Sequence, residues 1–145
     1  MKKFAELFLS LEQAGQDADK IEILREYFKN TPAEDAVWAL FLLLVWESEP
    51  LVDSQRLKEW ATEATGIPDW LFQESYKAVG DPAETMALLF PDSKSPKSRS
   101  LQTWAEQRLL SLRSKNESEQ REAVLNDWKE MDNSQRLIWN KLLSG

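Results

Sequence analysis

The 145-residue sequence contains neither cysteine nor histidine. Without cysteine there are no disulfides, no thiolate ligands for a metal ion and no cysteine nucleophile. Without histidine there is no Ser-His or Cys-His pair, and no side chain whose ordinary pKa lies near neutral pH. Catalysis would have to rest on carboxylates, lysines, tyrosines or hydroxyls. These absences disfavour an autonomous enzyme.

Glycine, proline and long apolar runs are also scarce. Four glycines and six prolines leave little material for tight β-turns. The longest apolar run, residues 37–46, is too short to cross a bilayer and is typical of a buried helix. The opening residues MKKFAE lack the apolar core of a secretory signal. We therefore expect one cytoplasmic domain covering residues 1–145.

Helical periodicity runs through almost the whole chain, and no segment has the alternation of a strand. Phe4, Leu7, Phe8 and Leu11 form the stripe of one buried helical face. The segment Thr31-Pro32-Ala33-Glu34 predicts a capped helix start. The helix that follows is apolar nearly all round, which predicts a central position in a bundle.

Proline, glycine and aspartate residues mark the boundaries of the later predicted helices. Pro68 and Gly80 bracket one predicted helix, and Asp81 restarts the next. A polar linker at 91–99 separates a helical part, 1–90, from a second helical part, 100–145. The sequence therefore predicts an all-α single domain of about nine helices, with a central apolar helix and a linker near 91–99. Four tryptophans are predicted to fill the core, and Trp139 is expected to be partly exposed; the four are Trp38, Trp60, Trp104 and Trp128.

The net charge of −7 is unevenly distributed. Residues 1–91 carry 8 Lys and Arg against 17 Asp and Glu, whereas residues 92–145 carry 10 against 8. A local basic stretch can hold phosphate groups even on an acidic domain, because salt screens distant charges beyond about 10 Å. Affinity for a polyanion should nonetheless be modest.

The segment from Pro68 to Thr85, PDWLFQESYKAVGDPAET, resembles the N-terminal, DNA-binding domain of bacterial ATP-dependent DNA ligases. The opening MKKFAELF, the segment PAEDAVWAL from Pro32 and the ending from Trp128 resemble the same domain, in the same order. The resemblance implies an all-helical module that grips nicked double-stranded DNA, mainly through backbone contacts in the minor groove. It also implies a parent protein that acts in DNA repair, replication and recombination.

The resemblance places the chemistry in a separate nucleotidyltransferase domain, where a K-x-D-G lysine takes AMP from ATP. No lysine here is followed by x-Asp-Gly, so we expect a ligase fragment that does not ligate alone. We expect no cofactor in this chain, with ATP and Mg²⁺ belonging to the catalytic domain. The expected partners are nicked DNA and the catalytic domains of the same ligase, and the chain is expected to be a nucleoid-associated monomer.

One loop departs from the family pattern. Many relatives carry a basic, G-R-R-P-K-R-like loop after the central helix, where this chain has WESEPLVD at 46–53. The three carboxylates of Glu47, Glu49 and Asp53 put the DNA role of that loop in doubt. We expect the contacts with DNA to come instead from Arg56, Lys58 and the linker, or from other domains of the ligase.

Each candidate DNA-binding residue also has a structural interpretation. Arg56 and Lys58 begin a helix and can face a phosphate, or can pair with a nearby acid. Gly80 matches a family turn that approaches DNA, but also fits a helix C-cap, with Asp81 as the next N-cap. Thr85 offers a hydroxyl or faces solvent.

Two further groups complete the candidates. The linker residues Lys94, Lys97 and Arg99 form a flexible basic segment for backbone phosphates, or an ordinary loop. Ser144 and Gly145 match the first half of a glycine-bracketed turn that contacts DNA in the family, or form a disordered terminus.

Functions of other classes also have to be weighed. The acids near residue 50, or the pair Glu59 and Glu63, could gather a hard cation, but lack the dense ligand spacing of a calcium loop. We therefore expect no metal site. The main alternative function is an acidic helical protein-interaction module without DNA affinity. A carboxylate-based hydrolase is disfavoured by the missing histidine.

Overall fold

A computed structural model describes residues 1–46, 50–93 and 96–145, and these ranges contain helices but no strand. The predictions for Glu47, Glu49 and Lys94 therefore lie outside the described residues. The all-α prediction is confirmed. Within those ranges the helices are α1 (Lys2–Gln13), α2 (Asp17–Lys29), α3 (Ala33–Leu44), α4 (Ser54–Thr65), α5 (Asp69–Val79), α6 (Pro82–Leu88), α7 (Leu101–Thr103), α8 (Glu117–Lys129) and α9 (Asn133–Ser144).

Several helix starts follow directly from local sequence. The Asp53 carboxylate accepts from the Gln55 N–H at 2.7 Å and caps α4, and Asp81 caps α6 in the same way. Full capping boxes begin α8 at Asn116 and α9 at Asp132. The predicted capping box at Thr31 is wrong, because the Thr31 hydroxyl donates instead to the Tyr27 carbonyl of the preceding helix.

The chain between α7 and α8 is helical but irregular. A π-helix (Trp104–Leu109) continues α7 and passes into a 3₁₀-helix (Leu110–Ser114). These changes of helical pitch keep apolar side chains directed inward, and Trp104, Leu109 and Leu112 are all fully buried.

The hydrophobic core is built around α9. Eight of its twelve residues are buried, and it packs mainly against α6 and α1. Its polar interior residue, Asn140, accepts from the Trp128 Nε1–H at 2.8 Å and donates to the Ala83 carbonyl at 3.1 Å. Asn140 and Trp128 are thus paired, whereas the buried indole N–H groups of Trp104 and Trp139 have no hydrogen-bond partner among the described residues.

The prediction of α3 as the central helix is wrong. Only Ala39 and Leu42 of this helix are buried, whereas Val37, Leu40 and Leu44 are exposed. Packing on α3 comes mainly from α7, which covers one side of the helix. An apolar composition shows what a helix is able to bury, but neighbouring elements decide what is covered.

The tryptophan predictions are confirmed in part. Trp60, Trp104 and Trp128 are buried, while Trp38 is half-buried at the edge of the core. The expectation for Trp139 is wrong: its ring is fully buried and packs edge-on against Trp104, with centroids 5.3 Å apart.

The linker segment contains no helix in its described part, and its backbone is held at several points. The Arg136 guanidinium donates to the Pro91 carbonyl at 2.9 Å, and Asp92 accepts from the Asn133 N–H at 2.9 Å. The Lys97 N–H donates to the Glu130 carbonyl at 3.1 Å. The helices before and after the linker share one core. Among the residues given above, no helix has the length and apolarity needed to span a membrane.

Candidate nucleic-acid interface

Two cations of the linker, Lys97 and Arg99, converge on one carboxylate at the end of α8. Arg99 makes a bidentate pair with Glu130, with Nε–Oε2 at 2.9 Å and Nη2–Oε1 at 3.2 Å. Lys97 Nζ lies 3.6 Å from the same carboxylate. This pairing with Arg99 holds the pKa of Glu130 below its ordinary value. Lys97 and Arg99 are therefore both paired with an acid of the fold.

A second carboxylate beneath this cluster holds Arg108. Asp127 is buried and accepts from Arg108 Nη1 at 2.7 Å. Burial raises the pKa of Asp127 to about 6, although the Arg108 charge opposes the shift. Its second oxygen has no hydrogen-bond partner among the described residues. The charge of Arg108 is therefore paired with a carboxylate of the fold.

The first turn of α1 brings two further cations to the linker. Lys2 and Lys3 line a cavity of about 640 Å³ together with Lys97 and Arg99, and we call these four residues the basic groove. The side chains of Lys2 and Lys97 are 61% and 64% exposed, so both ammonium groups face solvent. Sequence reasoning missed Lys2 and Lys3, for which the only signal was the lysine pair itself.

Acidic groups also border the basic groove. Asp132 lies 3.9 Å from Lys2 Nζ, and Glu6 and Asp35 line the cavity. Asp35 accepts from the Gln102 N–H at 3.0 Å, which satisfies part of its hydrogen-bonding capacity. Four carboxylates, those of Glu6, Asp35, Asp132 and Glu130, therefore lie near the four cations, so the charge of the groove is largely neutralised.

Arg56 and Lys58 belong to a different cluster, formed by α4, α5 and α8. Lys58 Nζ pairs with Asp69 at 2.6 Å and lies 5.3 Å above the Phe72 ring. Arg56 Nε lies 3.6 Å from Glu117, and its side chain is half-exposed. Of the two interpretations left open by the sequence, the structure shows pairing with nearby acids.

The turn between α5 and α6 has the geometry of helix caps. Gly80 has φ +87° and its N–H donates to the Tyr76 carbonyl at 2.7 Å, which ends α5. The expectation that Thr85 offers its hydroxyl or faces solvent is wrong. Its side chain is buried and the hydroxyl donates to the Asp81 carbonyl at 2.7 Å.

Ser144 is the last residue of α9, and Gly145 follows it as the helix C-cap. The Ser144 hydroxyl donates to the Asn140 carbonyl at 2.8 Å, and Gly145 has φ +90°. Carbonyls in this last turn accept from outside the helix: Trp46 Nε1 reaches Leu142 at 3.1 Å, and the Val52 N–H reaches Leu143 at 3.1 Å. Helix ends leave such carbonyls unpaired unless another element supplies donors.

The candidate residues that the structure describes therefore do not form one site. The basic groove lies near the N-terminal end of α9, through the contact between Lys2 and Asp132. Ser144 and Gly145 lie at its C-terminal end, about 18 Å away along the helix axis for twelve residues. Lys141 contacts Asp81 at 3.5 Å, which places the Gly80 turn beside that C-terminal half.

None of the described residues forms a group of three or more acids placed to hold a metal ion. Asp53, the described member of the acidic loop's carboxylates, serves as the α4 cap.

Comparison with protein families places the chain beside a known family. A family model described as DNA ligase N terminus matches residues 1–145, the whole chain. No curated protein and no solved structure matches the sequence.

Proposed function

The chain belongs to the family of N-terminal domains of ATP-dependent DNA ligases, and from this premise we propose that it binds nicked duplex DNA without sequence preference. In this proposal it positions the nick for a nucleotidyltransferase domain elsewhere in the parent ligase, where ATP and Mg²⁺ act. The parent serves DNA repair, replication and recombination in the bacterial cytoplasm, and this domain is a monomer associated with the nucleoid.

The observation that carries the proposal is the basic groove. Lys2, Lys3 and Lys97 come from two distant parts of the chain and line the same cavity. Glu130 holds the linker through the Lys97 N–H and the Arg99 side chain, so the groove is ordered before DNA arrives. Ordered groups lose less conformational entropy on binding. Backbone phosphates are the polyanion that such a lysine cluster favours.

The same geometry supports modest affinity with a strong salt dependence. Three phosphate contacts would give a slope of about −2.7 in log affinity against log salt. The net charge of −7 opposes any long-range attraction, so binding should be detectable at low salt and weak at moderate salt.

We expect Lys97→Glu to weaken binding to a nicked duplex roughly tenfold and to lower the salt slope by about 1. Fluorescence anisotropy at several salt concentrations measures both quantities. The matched control is Lys20→Glu, which changes the net charge equally but lies at the start of α2, away from the cavity. Arg56→Glu tests the α4 cluster in the same assay.

Equal losses in the Lys97 and Lys20 variants would show a general charge effect and would remove the groove from the proposal. A larger loss for Arg56→Glu than for Lys97→Glu would move the DNA contact to the α4 cluster. Absence of binding to nicked DNA at low salt would favour the alternative function, an acidic helical module that binds another protein.

A further inference from the structure

Helix α3 carries an uncovered apolar stripe. Val37, Leu40 and Leu44 are 64%, 45% and 73% exposed, and the exposed Ala33 precedes them on the same face. The successive spacings of four, three and four residues are those of the a and d positions in a coiled coil. We call these four residues the α3 seam. A stripe of this kind fits the side of another helix.

The charges of helix α3 itself disfavour DNA as the occupant of the α3 seam. Helix α3 contains no lysine or arginine, and its charged residues are Glu34 and Asp35. Asp35 accepts from the Gln102 N–H on the covered side, which leaves Glu34 exposed. An apolar surface with a carboxylate beside it repels phosphates and fits an amphipathic helix with a basic residue at the matching position.

The position of the α3 seam points to a helix of the same polypeptide. The Trp46 N–H donates to the Phe41 carbonyl in the last turn of α3 at 2.9 Å. Its indole N–H donates to the Leu142 carbonyl in the last turn of α9 at 3.1 Å. Trp46 thus joins the C-terminal ends of the two helices. Polypeptide that follows α9 in a longer ligase would therefore pass one end of the seam.

The size of the α3 seam also favours a tethered partner. A twelve-residue helix is about 18 Å long, and one of its faces offers well under the roughly 800 Å² per partner that stable association of separate proteins requires. A helix on the same polypeptide has an effective concentration on the order of millimolar, so a smaller interface is sufficient.

We propose that the α3 seam is the docking surface for an amphipathic helix of the parent ligase's own catalytic polypeptide. Apolar residues of that helix pack on the seam in coiled-coil fashion, and a lysine or arginine lies opposite Glu34. This inference rests on the proposed function, under which the chain is one domain of a longer ligase.

Amide hydrogen exchange tests the docking without DNA, in the 145-residue chain and in the full-length parent ligase. We expect amides of residues 37–45 to exchange at least about tenfold more slowly in the parent, because docking suppresses local opening of α3. Leu40→Glu in the parent should abolish this protection. The matched control is Ile21→Glu, at an exposed apolar position of α2, which should leave it unchanged.

Equal exchange of α3 in the two proteins would overturn the docking. So would a concentration-dependent dimer of the 145-residue chain in light scattering with α3 already protected, since a second copy would then cover the seam. Nick sealing by the same parent preparation separates the two proposals. An inactive parent with a protected α3 would contradict only the ligase function, whereas an active parent with an unprotected α3 would contradict only the docking.

Discussion

Helices α3 and α9 have the same length but differ in how much of each is buried. Ten of the twelve residues of α3 are apolar, against five of the twelve in α9. Yet α9 buries eight residues and α3 buries two. The difference teaches that the interior of a helical domain is not simply the place of its most apolar helix. It is the place where several neighbouring helices meet and where polar groups such as those of Arg136 and Asn140 find partners, although the indole N–H of Trp139 has none among the described residues.

The polar residues of α9 show how that condition is met. Arg136 Nε donates to the Trp128 carbonyl at 2.9 Å, and its Nη1 donates to Asn133 at 2.7 Å. Asn140 joins Trp128 to Ala83. Each group gives up water but gains a directed hydrogen bond, so burial costs little. Helix α3 buries only the apolar residues Ala39 and Leu42, so none of its buried side chains needs a hydrogen bond.

The test with the largest expected effect replaces one leucine by alanine in the last turn of each helix. Leu143→Ala in α9 should lower the free energy of unfolding by about 2–5 kcal/mol, because Leu143 is fully buried. Leu44→Ala in α3 should change it by no more than about 0.5 kcal/mol, because that side chain is 73% exposed. Urea unfolding followed by circular dichroism gives both values. Similar losses would mean that α3 is covered even in the isolated chain.

A second test examines the buried amide of α9. Asn140→Ala leaves the buried Trp128 indole N–H without an acceptor and removes a hydrogen bond to the Ala83 carbonyl, and should cost about 2 kcal/mol. The same substitution at the exposed Asn126 of α8 should be nearly neutral. Both are measured by urea unfolding. A neutral Asn140→Ala would show that this hydrogen-bond network contributes no net stability.

The smallest expected effect concerns how the two helices begin. Asp132 forms a capping box at the start of α9, whereas α3 begins after Pro32 without a side-chain cap. Asp132→Ala should therefore cost about 1 kcal/mol. Thr31→Ala, at the residue where the sequence predicted a cap for α3, should cost a few tenths of a kcal/mol at most. Thermal unfolding of the two variants measures both losses of stability. A larger loss for Thr31→Ala than for Asp132→Ala would support the predicted capping box of α3.

Local features of the fold were predictable from the sequence. Asn116, Asp132 and Asp53 are caps whose partners lie two or three residues away, so the sequence contains the whole interaction. The position of α9 was not predictable, because it depends on contacts with α1 and α6 across long stretches of chain. The same limit explains why α3 was assigned the central place.

The candidate site shows the same division. Sequence reasoning identified Lys97 and Arg99 from their local composition. It missed Glu130, which pairs with Arg99 from 31 residues away, and Lys2 and Lys3, which reach the linker only through the tertiary fold. The prediction that Thr85 offers its hydroxyl or faces solvent was wrong for a related reason, because the burial of Thr85 depends on how α6 packs against α9.

The central position of α9 also has a kinetic consequence. Helix α9 packs against α1 and its Lys141 pairs with Glu12, 129 residues earlier, so contacts that complete the core join the two ends of the sequence. Contacts of such separation slow folding, because a long loop must close before they form. On a ribosome, α1 to α8 would emerge without their central partner. We therefore expect the domain to acquire its cooperative structure only after α9 has been synthesised, and the nascent chain to expose apolar surface until then.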